Sequence, residues 1–252
     1  MDSNCFILRK YTRCLMYDLE NISRRRISIT SPKNFNDPLD SYFLNLNNSV
    51  LSETLAKIIP KDKQEALKMS CFANHEKMRF KKIDNSNTLT NEEILMWTHY
   101  ANAHHGICIE YAIPYDHLKS IDDININDGK TVELNTFYLE EVSYADGLAV
   151  NYKHIVEAET SGYKAERLLQ SIYCLKDKTF EYEHEYRLLC FSSDSKMYAS
   201  IEFDYIKKII FGIRCSSDTR YLVECINKHV YENKIELYSI DEHFKEIPYG
   251  SK

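Results

Sequence analysis

The opening residues Cys5-Phe-Ile-Leu-Arg-Lys-Tyr-Thr-Arg13 carry enough apolar and β-favouring side chains to predict a first strand. Residues 14–22 suit a short helix, and 25–30 (Arg-Arg-Ile-Ser-Ile-Thr) alternate as a half-buried strand does. The next eight, Ser31-Pro32-Lys33-Asn34-Phe35-Asn36-Asp37-Pro38, form a loop by their proline, asparagine and aspartate content. Helices are predicted over 50–59, stopped by Pro60, and over 61–68, with a short strand at 69–73.

The strongest helical signal runs over 90–105. Thr90 and Glu93 have the spacing of a capping box, and Gly106 is placed to close the helix at its C′ position. A strand follows, with Ile107, Ile109, Tyr111 and Ile113 on one face and Cys108, Glu110 and Ala112 on the other. Further strands are predicted at 132–144, 185–191 and 198–203, and a helix around 163–174. Residues 206–212, 217–230 and 235–240 have the order and lengths of a β-α-β unit. Strands and helices mixed without strict alternation predict an α+β fold, a mixed sheet with flanking helices, in a single domain spanning 1–252.

Composition narrows the function more than the fold. The chain has 252 residues, of which 32 are basic and 38 acidic, for a net charge of −6. That balance argues against gripping nucleic acid by bulk charge and leaves room only for a local basic patch. Six glycines exclude a P-loop and a GxGxxG fingerprint, both of which need several close together. No apolar run approaches a membrane span, and the N-terminus lacks a signal pattern. With no CxxC among eight cysteines, the expectation is a cytoplasmic protein with free thiols and no metal.

Four stretches combine polar groups with aromatics: Lys10-Tyr11-Thr12; Asn36-Asp37-Pro38 with Asp40; Met96-Trp97-Thr98-His99-Tyr100 with Glu110; and Glu181-Tyr182-Glu183-His184-Glu185-Tyr186-Arg187. On a strand, Glu183, Glu185 and Arg187 would share one face, about 7 Å apart in succession. Two carboxylates beside a guanidinium can divide roles, one held ionised and the other shifted upward. The same pattern also describes a solvated face at a sheet edge, but the apolar Leu188–Phe191 that follows favours a central strand lining a cleft. Arg187 is expected to be buried and paired with Glu183 or with another acid such as Asp37. Trp97 reads as a core residue of its helix, and Ser216-Ser217 as either an N-cap or an anion site.

The ordered series Lys10-Tyr11-Thr12, Ser31–Asp40, Cys71-Phe72, Met96–Ala101, His105–Tyr111, Val142-Ser143-Tyr144, Lys178 with Tyr182–Arg187, and Ile209–Gly212 resembles the bacterial domain-of-unknown-function family 2971. That family supplies no settled activity. A second resemblance bears on mechanism: an opening strand with a His-Tyr-Thr-like triplet and a late Glu-x-Glu is similar to the layout of ADP-ribosyltransferases. The resemblance implies a split sheet, NAD held by Lys10, Tyr11 and Thr12, and catalytic Glu185 and Glu183; Arg187 joins the catalytic set as the guanidinium expected to hold a carboxylate. Asn36, Asp37, His99 and Tyr100 join the expected ligand-binding set. Lys10 stands where those enzymes usually carry His or Arg, so it would meet a phosphate or ribose hydroxyl as a flexible point charge. Three functions follow as expectations: an NAD-using transferase, serving as a toxin or anti-phage effector on a protein or nucleic-acid acceptor; a non-catalytic module binding a nucleotide-like or peptide ligand; and, least favoured, a metal-dependent nuclease using Asp37, Asp40 and Glu110.

Overall fold

A computed structural model describes residues 5–35, 66–79, 87–118, 137–146, 173–191 and 198–250. The calls at Asn36, Asp37, Asp40, 50–59 and most of 163–174 lie outside those residues. The strands are β1 (Cys5–Thr12), β2 (Arg26–Thr30), β3 (Leu67–Ala73), β4 (Ile107–Pro114), β5 (Phe137–Glu141), β6 (Ser143–Ala145), β7 (Leu175–Asp177), β8 (Glu185–Phe191), β9 (Tyr198–Glu202), β10 (Ile206–Phe211), β11 (Glu236–Ile240) and β12 (Glu246–Pro248). The α-helices are α1 (Met16–Ser23), α2 (His75–Arg79), α3 (Asn91–Tyr100) and α4 (Ser217–Val230). One mixed sheet runs β12-β11-β10-β4-β1-β3-β2-β9, with β8 also on β3 and β5 on β8, while β6 and β7 form a separate parallel pair. The architecture is α+β, and parallel pairing of β10 with β11 around α4 makes the expected β-α-β unit.

The sheet buries both faces, and the alternation along β4 shows how. Ile107, Ile109, Tyr111 and Ile113 enter a core with Leu8, Leu19, Ile22, Val223 and Tyr231, which seats α1 and α4. The opposite side of β4 puts Cys108 into a second cluster with Tyr11, Met96, Trp97 and Ile210, which seats α3. Each fully buried isoleucine or leucine contributes about 1.5–3 kcal/mol relative to exposure. Tyr231 Oη donates to the Ile22 carbonyl at 2.7 Å and ties α4 to α1.

Below α3 the core holds charge. Arg9 is 2% exposed and pairs with Glu110 and Glu246 at 2.9 Å and with Glu93 at 3.4 Å. Glu93 also meets His75 and Arg79 and accepts from the Thr90 backbone N–H, so the predicted capping box doubles as part of this network. Anions and cations interlocked this way are far safer together than singly, because an unpaired buried charge is costly.

Several expectations need correction. The residues read as helix up to 68 give way to β3 at Leu67, where burial on both faces overrides local preference. Of the strand expected over 132–144, the described part is broken at Val142, whose N–H still donates to the Glu185 carbonyl while the next N–H, of Ser143, donates to the Cys174 carbonyl, so the chain changes partner from β8 to β7. The long helix ends at Tyr100 rather than 105, and Asn102, Ala103 and His104 take left-handed backbone at φ 51°, 49° and 69°. Gly106 is not a left-handed cap. It is required by close approach, since a Cβ there would sit 2.0 Å from the Thr12 carbonyl oxygen. Gly106→Ala should therefore cost on the order of 3 kcal/mol by overpacking against backbone that cannot yield. A thermal melt matching the parent would show that the β1–β4 junction relaxes freely.

Candidate functional site

The site arises where the sheet divides. β8 pairs β3 along one entire edge, from Leu67↔Phe191 to Ala73↔Glu185. The other edge of β3 meets β2 only at Thr30↔Met69 and β1 only at Arg9↔Ala73. Between those contacts the strands part, leaving backbone acceptors to be satisfied by something other than a ladder. Lys10 does this: its Nζ donates to Ser70 Oγ at 2.6 Å and to the Cys71 carbonyl at 3.4 Å, and lies 5.3 Å over the Phe72 ring. Burial pushes the Lys10 ammonium below its ordinary value, against the raising effects of Cys71, Asp18 and Glu185.

A cleft of about 1020 Å³ opens at this split. Lys10, Tyr11, Thr12, His99, Tyr100, Glu183 and Glu185 all line it, so the structure brings together the described members of the expected site other than Arg187. They do not play equal parts. Tyr11 is buried edge-on against Trp97 with centroids 5.4 Å apart, and Thr12 is committed to Asp18, its hydroxyl donating to Oδ2 at 2.7 Å. His99 faces the cleft beside Tyr182, ring centroids 6.4 Å apart. Trp97 is 1% exposed, a core residue as expected.

The carboxylates form the chemical centre, and by a different route from the one expected. Glu183 is not on the strand face; it ends a 3-10 helix, Lys178–Glu183. His184, left-handed at φ 42°, turns the chain so that Glu185 opens β8 with its side chain still beside Glu183. Lys176 on β7 joins them, its Nζ donating to Glu183 Oε2 at 2.7 Å and to Glu185 Oε2 at 3.1 Å. Tyr100 Oη donates to Glu183 Oε1 at 2.6 Å, fixing the other oxygen from α3. The Glu185 backbone N–H donates to Tyr144 Oη at 2.8 Å.

Arg187 is fully buried but pairs with Glu185, not with Glu183. Its Nε donates to Oε1 at 2.8 Å and Nη2 to Oε2 at 3.3 Å, while Nη1 donates to the Tyr173 carbonyl at 2.6 Å. The two-residue strand spacing puts both side chains on one face, which a partner at 183 could not match once the chain turned. Arg187 does not line the cleft; it stands behind Glu185, with its guanidinium 5.4 Å over the Phe35 ring.

This arrangement pushes the two carboxyls apart. Burial raises Glu185, but Arg187 and Lys176 outweigh it and bring it down to about 2. Burial also raises Glu183, Lys176 opposes this and Glu185 adds to it, and the net is upward. A pair divided so gives one carboxylate ionised throughout and one able to exchange a proton. Lys176, buried yet held between two acids, is raised and stays charged.

Two charged residues at these sites were not singled out in the sequence. Lys176 follows Tyr-Cys-Leu without any motif of its own, and its role depends on a β7 pairing that only the fold reveals. Arg9 was legible only as a charge embedded in an apolar strand. It also holds Glu110, which does not line the cleft. Among the described residues no group of His, Cys, Asp or Glu is placed to hold a metal ion. Ser216 is a plain N-cap, its Oγ accepting from the Thr219 N–H at 3.1 Å.

Fold and site together define an α+β protein with a cleft through a split sheet and a buried Lys-Glu-Glu-Arg quartet at its floor. Residues 96–188 match the model of a family described as a protein of unknown function (DUF2971), which bears out over that span the resemblance to family 2971. The span takes in Tyr100, Lys176, Glu183, Glu185 and Arg187 and leaves Lys10 outside. No curated protein and no solved structure matches the chain. Among the described residues no helix is long and apolar enough to cross a membrane.

Proposed function

We propose that the protein is an enzyme of ADP-ribosyltransferase type, binding NAD in the split-sheet cleft and passing the ADP-ribosyl group to a protein or nucleic-acid acceptor, as a cytoplasmic toxin or anti-phage effector. The observation that carries this reading is convergence: Lys10 from the first strand and the Glu183–Glu185 pair from far along the chain line one cleft. In the reaction the bond between nicotinamide nitrogen and ribose C1′ breaks, and its electron pair leaves with neutral nicotinamide. The ribosyl carbon becomes cation-like beside ionised Glu185. The acceptor atom then bonds C1′ and gives its proton to Glu183, whose upward shift suits it to take one.

One observation favours the second reading, a module that binds a nucleotide-like or peptide ligand without chemistry. Glu185 already accepts from Arg187, Lys176 and the Cys71 thiol, close to the roughly four acceptor sites a carboxylate has. It therefore offers a ligand charge rather than a free lone pair. Incubating the parent protein with NAD and protein, RNA or DNA acceptors decides between them. Nicotinamide release is expected; NAD neither bound nor consumed with any acceptor leaves the binding module.

A further inference from the structure

The cleft is polarised. Its floor is charge-balanced, Glu183 and Glu185 facing Lys176 with Arg187 behind, but the wall built by α1 and β2 is basic, although the chain as a whole carries a net −6. Arg13, just after β1, and Arg26, opening β2, both line it and make no ion pair among the described residues. The two acids on the same wall are already engaged. Asp18 Oδ2 accepts from the Thr12 hydroxyl and the Leu15 N–H, and Glu20 pairs with Arg24 at 2.9 Å. Lys10, deeper in, is bonded to a hydroxyl and a carbonyl and makes no ion pair among the described residues, Asp18 and Glu185 being the acids whose charge reaches it. Arg25, left-handed at φ 53° in the turn before β2, points away to Asp204 and the Val230 carbonyl, which leaves Arg24 and Arg26 on the cleft side.

Guanidiniums without an ion-pair partner along the open side of a cleft attract an anion and raise its local concentration. Guanidinium forks match phosphate oxygens bidentately, and a lysine adds a point charge. From this polarity we infer that the α1–β2 wall is a diphosphate subsite, Arg13 and Arg26 taking phosphate oxygens of a nucleotide and Lys10 completing the charge on the side nearer the carboxylates. The assignment of the nucleotide as NAD rests on the transferase reading; the anion subsite itself does not. A diphosphate held there spans from the basic wall toward Glu183 and Glu185, where the ribosyl carbon must lie.

The test is calorimetric titration of the parent, Arg13→Gln, Arg26→Gln and the double variant with inorganic pyrophosphate, ADP and adenosine at low salt. Expected are binding of pyrophosphate and ADP by the parent, adenosine at least tenfold weaker than ADP, and about tenfold loss of ADP affinity per arginine with adenosine unchanged, as charge-assisted bonds require. Equal affinity for ADP and adenosine, no binding of pyrophosphate or ADP, or unchanged ADP affinity in the double variant overturns the subsite. The two proposals fail separately. Nicotinamide release with a KM for NAD unchanged in the double variant sinks the subsite and keeps the transferase. Arginine-dependent pyrophosphate binding without nicotinamide release keeps the subsite and sinks the transferase.

Discussion

Arg187→Ala is expected to lower the melting temperature by on the order of 10 °C. The substitution removes the two bonds Arg187 gives Glu185 and the one it gives the Tyr173 carbonyl, all at a fully buried side chain. Breaking a buried pair from one side costs about 3–5 kcal/mol, because the stranded charge keeps its desolvation penalty. For a chain of this length each kcal/mol shifts the transition by about 2–4 °C. The loss should not be complete, since Lys176 remains to compensate Glu185. Removing both members, as Arg187→Met with Glu185→Leu, should recover part of it, since no charge is then left unpaired. A melt of Arg187→Ala within about 1 °C of the parent would contradict the buried pairing, because the estimate is several times larger.

Where local pattern and tertiary burial agree, as in β1, β2, β4, β8 and the β10-α4-β11 unit, elements were legible within one or two residues. The two faces of β4 sort into two separate cores as its alternation predicts. Legibility failed where backbone geometry has no side-chain signature. Nothing about Asn102, Ala103 and His104 announces three successive left-handed residues, which only Gly adopts readily. They are held by bonds from outside their own turn, Arg214 N–H to the His104 carbonyl and His104 N–H to the Trp97 carbonyl.

The site was legible as a set of residue types and not as a set of partners. Glu183, Glu185 and Arg187 stood out because three charges precede an apolar run, and all three are buried in one cluster. The pairing among them turned on His184, whose left-handed backbone breaks the strand periodicity on which the expectation rested. Lys176 could not be anticipated from spacing at all, since a lysine next to an aspartate reads as surface. It is the residue that makes two adjacent buried carboxylates tolerable.

Glu185→Gln should lower the rate of nicotinamide release about a hundredfold while leaving NAD affinity within about threefold, since a preorganised charge acts on charge that appears only in the transition state. Glu183→Gln should be milder at neutral pH and should change the pH profile instead. With Glu183 ionised, Lys176, Arg187, Glu183 and Glu185 are together neutral; with it protonated, the quartet carries one net positive charge toward a cation-like carbon. Burial raises Glu183 above the ordinary carboxyl value of 4.5, so turnover in the parent should fall as pH drops through that raised value and recover above it. Glu185, held down at about 2, adds no inflection in that range. Glu183→Gln should accordingly flatten the acidic limb. Because Glu185→Gln leaves Lys176 and Arg187 facing an amide, Glu185→Gln with Lys176→Met restores the balance and serves if the single variant does not fold. A folded Glu185→Gln protein that releases nicotinamide at a third or more of the parent rate removes Glu185 from the chemistry, and an acidic limb that persists in Glu183→Gln removes Glu183 from the proton transfer.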